Sequence, residues 1–149
     1  MKREIKFRGK SIHPFSKGKW VYGYLMEGWK QGTLCIGKWE NIGGEATVKD
    51  NFGSSYEPID PETVGQYTGL KDKNGVEIFE GDICKYRYGR WTYIGKVAFN
   101  THACIFEMRR TEMVGSHGER AIKTQLLNHI DKVEVIGNIH DNPDLLEVE

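Results

Sequence analysis

The sequence predicts a mostly β protein: an N-terminal β-hairpin subdomain over residues 1–60 and a C-terminal SH3-like, partly open β-barrel over 61–149, with one or two short helical turns. Three observations predict it. Gly is frequent, at 18 of 149 residues, and Pro is rare, at four. Aromatic residues reach 11% and fall with β-branched residues into short runs such as Trp20-Val21-Tyr22-Gly23-Tyr24. Turn signals separate the runs, and the second half holds about five of them, which suits a small barrel whose closure removes exposed edges.

The elements follow in order. Ile5 and Phe7 alternate with Glu4, Lys6 and Arg8, which reads as a short first strand. Gly9 to Lys19 is a loop. Trp20 to Met26 is a strand, and Thr33 to Ile36 returns as its hairpin partner. Asn41 to Gly44 is a turn, and strand character is weak around Thr47-Val48 and Ser55-Tyr56. Pro58 denies a ladder its donor, so a boundary is expected there. Asp60-Pro61-Glu62-Thr63 has the form of a capped helical turn.

Beyond that boundary, Val64 to Tyr67 is a strand, and Asn74-Gly75 marks a turn that needs positive φ. Ile83 to Tyr88 and Thr92 to Phe99 flank Gly89-Arg90 as a hairpin, and Ala103 to Met108 follows. Glu112 to Glu119 is a loop. Ile122 to Ile130 is ambiguous, because Ile122, Leu126, Leu127 and Ile130 have helical spacing. Val133 to Ile139 is the last strand, and Asn142-Pro143 opens a second capped turn.

Net charge is zero but unevenly spread: +7 over 1–38, −7 over 39–82, +5 over 83–110, zero over 111–128 and −5 over 129–149. Such blocks suit strands or subunits of opposite sign meeting, and they argue against a dedicated DNA binder, which would be basic overall. Three cysteines, Cys35, Cys84 and Cys104, form no CxxC, so a reducing cytoplasm is expected. The charged start leads into no apolar segment, and no run approaches the ~18 apolar residues of a membrane helix, so no membrane association is expected.

Catalytic signatures are absent. The chain has no HExxH, GxSxG, GxxxxGK[ST] or strand-linked GxGxxG. Asp72-x-Asn74-Gly75 fails as a calcium loop, because aligning Gly75 with the sixth position puts Leu70 first and Gly81 twelfth. In His102-Ala103-Cys104 the imidazole and the thiol, at i and i+2, would share one strand face, with Cys84 nearby, but a buried Cys104 and a surface His102 are expected instead. Glu77, Glu80 and Asp82 read as a solvated acidic face or a partner surface. No enzyme activity, cofactor or metal is expected.

The positive candidate is an interaction surface formed by Lys85, Tyr86, Arg87, Tyr88, Arg90, Trp91, Tyr93 and Lys96. Cations beside rings serve protein interfaces, and they also serve single-stranded nucleic acid. The plain alternative is a hairpin with one aromatic face in the core.

Three segments carry a family resemblance: Arg3-Glu4-Ile5-Lys6-Phe7-Arg8; the block Val64-Gly65-Gln66-Tyr67-Thr68-Gly69-Leu70-Lys71-Asp72-Lys73-Asn74-Gly75-Val76-Glu77-Ile78-Phe79-Glu80-Gly81-Asp82-Ile83; and Val133-Glu134-Val135-Ile136-Gly137-Asn138-Ile139 with Asn142-Pro143 and Leu145-Leu146. In this order they resemble the YopX family of bacteriophage and prophage proteins. The resemblance implies a largely β, phage-encoded, intracellular protein and brings no catalytic residues. The expected role is that of an accessory protein working by protein binding or homo-oligomeric assembly. A nucleic-acid module on the 85–96 hairpin is the alternative. The long block reads as two tight turns that set strand register.

Overall fold

A computed structural model describes residues 4–28, 33–37, 41–42, 45–46, 56–113, 119–125 and 130–147. It holds β1 (Phe7–Lys10), β2 (Trp20–Glu27), β3 (Leu34–Gly37), β4 (Asn41–Ile42), β5 (Glu45–Ala46), β6 (Tyr56–Pro58), β7 (Gly65–Lys71), β8 (Glu77–Phe79), β9 (Asp82–Tyr88), β10 (Trp91–Asn100), β11 (Ile105–Met113), β12 (Glu119–Gln125) and β13 (Val133–Asn138). Short 3-10 turns, Pro61–Thr63 and Pro143–Leu146, are added. The protein is therefore mostly β, as the Gly-punctuated aromatic runs predict. Two compact units divide it, Met1–Tyr67 and Thr68–Glu149. The sequence places the boundary at 60/61; the division in the structure falls inside β7.

In the first unit the strands run β6-β3-β2-β1-β7 across the sheet. β1 and β2 are antiparallel, with Phe7 opposite Gly23, Arg8 opposite Tyr22, Gly9 opposite Val21 and Lys10 opposite Trp20. Opposed residues share a face, so the even positions of β1 face one way and the odd positions the other. The odd face meets a core of Val21, Ile36 and Ile59, with Phe7 and Leu25 packed against it. Gly9 lies under Ile59, where a Cβ would come within 2.6 Å of its Cδ1. Pro58 ends β6, an edge strand, where its missing N–H removes no ladder bond. Asp60 caps the 3-10 turn by accepting from the Glu62 N–H at 3.0 Å.

The second unit contains a five-stranded antiparallel sheet, β12-β11-β10-β9-β13. Among the described residues it is open and no closed barrel forms. Its core is Ile78, Cys84, Tyr86, Val97, Met108 and Val133. Gly89-Arg90 is the two-residue turn between β9 and β10, with Gly89 at φ 58°. The described part of the ambiguous stretch from Ile122 is strand: Ile122 pairs with Arg110 and Gln125 with Glu107, so pairing to β11 overrides the helical spacing. Residues 126–129 lie outside the described set, as do Thr47-Val48. Asn142 precedes the last 3-10 turn without capping it; its Oδ1 accepts from the Asn138 N–H at 3.4 Å instead.

The two turns of the long block are both organised by buried aspartates. Asp72 Oδ1 accepts from the N–H groups of Asn74 at 2.8 Å and Val76 at 2.9 Å, while Oδ2 accepts from Val135 on β13 at 2.9 Å. Asp82 Oδ2 accepts from the Phe79 N–H at 2.8 Å. Gly75 sits at φ 82°, the conformation its Asn-Gly signal demands. Burial by itself would raise the Asp72 pKa, but the N–H groups of Val135, Val76 and Asn74, together with Lys73, outweigh it and hold the carboxyl below its ordinary value.

Asp72→Ala is expected to cost about 3 kcal/mol or more in urea unfolding, because it strands three N–H groups. Asp72→Asn should cost less, since Oδ1 is retained and only the bond to β13 is lost. A pKa lowered on folding means the carboxylate's contribution is complete above its unfolded pKa of about 4 and is lost as pH falls through the lower folded value. Acid titration of unfolding should therefore show a steeper loss below about pH 4 in the wild type than in Asp72→Asn.

Candidate functional site

The β9–β10 hairpin, predicted as an interaction surface, distributes its residues to two faces. Tyr86 is buried and stacks on Tyr93, ring centroids 6.0 Å apart at 25°. Lys85 and Arg87 project from the opposite face. Lys85 Nζ lies 3.5 Å from Glu134 Oε2, which Lys73 Nζ also reaches at 2.6 Å. The Lys73 hydrogen bond is the main cause that lowers the Glu134 pKa. Arg87, Arg90 and Lys96 are exposed. Tyr88 and Trp91 pair in the backbone ladder, and their side chains lie outside the described set. The hairpin thus keeps its cations at the surface and turns Tyr86 and Tyr93 into the core, as the plain reading expects.

The histidine–cysteine pair also moves. Residues 101–104 form a turn and not a strand, with Cys104 at φ 53°. Cys104 is exposed, where burial was expected, and Cys84 is buried on β9. Asn100 shapes this turn, its Oδ1 accepting from the N–H groups of His102 at 3.0 Å and Ala103 at 3.2 Å. Asp82, expected on a solvated acidic face, is buried at the second register turn. Among the described residues no group of three or more His, Cys, Asp or Glu side chains could hold a metal ion. No helix among them is long and apolar enough to cross a membrane.

Sequence reasoning missed two features of the first unit. The first is the loop between β1 and β2. Ser11 N–H donates to Lys19 O at 2.9 Å, Gly18 N–H to Ser11 O at 2.8 Å and Ser16 N–H to His13 O at 3.0 Å. The Ser11 hydroxyl donates to Glu57 Oε1 at 2.5 Å, and the Ser16 hydroxyl donates to the same oxygen. This frame presents Phe15, 91% exposed, and Ile12, 49% exposed. The His13 ring lies 5.6 Å from that of Phe15.

The second is the even face of β1. Arg8 Cζ lies 4.6 Å from the centroid of Trp20, and Lys10 Nζ 5.4 Å from the same centroid. Lys6 Nζ stands 5.1 Å from the Tyr67 centroid. Tyr22 is opposite Arg8 and 46% exposed. Tyr24 continues the row, its ring lying across Gly37, where any Cβ would collide with it. Two period-two patterns, Lys6-x-Arg8-x-Lys10 and Trp20-x-Tyr22-x-Tyr24, carried this signal. Their register against each other is a tertiary fact.

Against known proteins, the family model described as YopX protein matches residues 9–147. The chain belongs to the YopX family. That family is the phage and prophage group the three segments resemble. The chain is similar to protein EF1440 from Enterococcus faecalis, known from a crystal structure, at 25% identity and a TM-score of 0.54 over 97% of this chain and 99% of that one. No curated protein matches. For this YopX-family chain the comparisons bring no catalytic residue, and the two surfaces of the first unit stand as its candidate sites.

Arg87→Ala is expected to change stability by no more than about 0.5 kcal/mol, as an exposed substitution. Tyr86→Ala should cost about 3–5 kcal/mol by opening the core. Chemical denaturation of the two variants side by side checks that the hairpin is divided between core and surface.

Proposed function

We propose that this YopX-family protein is a phage or prophage accessory protein that works by protein contact in the cytoplasm of its bacterial host, in the first instance by binding further copies of itself. Phe15 carries the reading. A large ring 91% exposed on a monomer surface is an unused anchor. The loop that holds it is already ordered by its own hydrogen bonds and by Glu57, so association would spend little conformational entropy on it. Ile12 widens the apolar contact, and the +7 and −7 blocks of residues 1–38 and 39–82 offer complementary charge to a second copy.

Light scattering coupled to size exclusion tests the reading. The expected result is a mass above the 17.1 kDa protomer that rises with concentration. Phe15→Ser, at a site too exposed to disturb the fold, should restore the protomer mass. A wild type that stays at the protomer mass at every concentration overturns the proposal, as does a Phe15→Ser variant that assembles as the wild type does.

A further inference from the structure

The β1–β2 face has a composition that protein contact through Phe15 does not use. From Ile5 to Met26 the chain carries Lys6, Arg8, Lys10, Lys17 and Lys19 and no acid; the next acid is Glu27. Arg8 and Lys10 alternate along β1, with Lys6 just before it, and β2 sets Tyr22 and Trp20 directly opposite the first two. Lys17 and Lys19 extend the positive charge into the exposed loop that enters β2. The odd face of the same strands packs on the unit's core; on the even face Arg8 and Tyr67 are buried and Tyr22 is exposed.

We propose that this face binds single-stranded nucleic acid, with Tyr22 and Trp20 as stacking surfaces for bases, Lys10 as a phosphate contact on the face, and the exposed Lys17 and Lys19 of the adjoining loop as further phosphate contacts beside it. Single strands are held without sequence preference by cations that track the backbone and rings that stack on exposed bases. A duplex hides its base faces and would forgo the stacking. Arg8 is buried and lies over Trp20. Its role is to position that ring. Tyr22 has the exposure a base needs. The charge of the segment fits a polyanion, and the opposed rings separate a nucleic acid from an acidic peptide, which has carboxylates but no bases to stack. Tyr22, Trp20 and Lys10 belong to the strands and not to the Phe15 loop, so Phe15→Ser separates this inference from self-association.

Fluorescence anisotropy of a labelled oligothymidylate of about 20 nucleotides, titrated with the full chain, tests it. The expected result is micromolar binding at low salt that weakens with a log–log slope of about −2, the value for roughly three phosphate contacts on a single strand. Tyr22→Ala should weaken binding about ten-fold and Tyr22→Phe should restore it, because stacking needs the ring and not the hydroxyl. Lys19→Ala, an exposed change, should flatten the salt slope by about 0.7. Arg87→Ala and Phe15→Ser should bind as the wild type does. Three results overturn the proposal: no salt-sensitive binding at about 50 μM protein; equal affinity of Tyr22→Ala and wild type; or competition by poly-glutamate as strong as by unlabelled oligonucleotide of equal charge, which would assign the face to an acidic protein segment.

Discussion

Asp72 is a buried anion that accepts three hydrogen bonds, all from main-chain N–H groups, and one of those donors lies 63 residues away. Taking an ionised carboxylate out of water costs several kcal/mol unless donors replace the lost solvent. Here the donors belong to the turn that carries Asp72 and to β13. The charge is therefore tolerated only while the turn is closed and β13 is in place. Lys73 N–H adds a bond to Val133 O at 3.0 Å, so two successive residues hold the same strand. Val133 belongs to the core with Cys84 and Tyr86, and β13 pairs with β9 through a bulge between Val135 and Gly137. Loss of the Asp72 bonds would release both the strand and the core that it covers.

Asp82 repeats the device at the next turn. Its carboxylate caps Phe79, Gly81 N–H donates to Val97 O at 2.9 Å, and Ile139 N–H donates to Gly81 O at 2.8 Å. Both aspartates accept from backbone N–H groups of the turns they organise. Asp72 and Asp82 thus fix the two turns of the block through main-chain N–H groups.

Much of the fold was legible because its signals are local. Asn74-Gly75 needs positive φ and has it; Asp60-Pro61 opens a 3-10 turn; Trp20 to Glu27 is extended, as its β-branched and aromatic content requires. Open or mistaken readings fall where a partner decides. Ile122 has helical spacing, yet β11 offers its edge and takes it as a strand. Cys104 looks like a strand residue until Asn100 gathers the N–H groups of His102 and Ala103 and turns the chain. Phe15 was invisible because nothing in Ile12 to Gly18 says that two serine hydroxyls will share a carboxylate more than forty residues on.

The same limit applies to the two basic–aromatic hairpins of the chain, of which the sequence singles out Lys85 to Tyr93. Lys85 to Tyr93 and Lys6 to Tyr24 both contain alternating cations and rings, and composition cannot rank them. Cross-strand register can. In β9–β10, Tyr86 is opposite Tyr93, and Lys85 and Arg87 are opposite Ile94 and Thr92. Rings meet rings on one face, and that face closes over the core. In β1–β2, Arg8 is opposite Tyr22 and Lys10 is opposite Trp20. Cations meet rings there, and the apolar residues Phe7 and Val21 take the other face to the core. A slip of one residue would exchange these outcomes in either hairpin. What a basic–aromatic hairpin can bind is thus set by the parity of its pairing, which is fixed by the loop that joins the strands: two residues at Gly89-Arg90, and a hydrogen-bonded loop between Lys10 and Trp20.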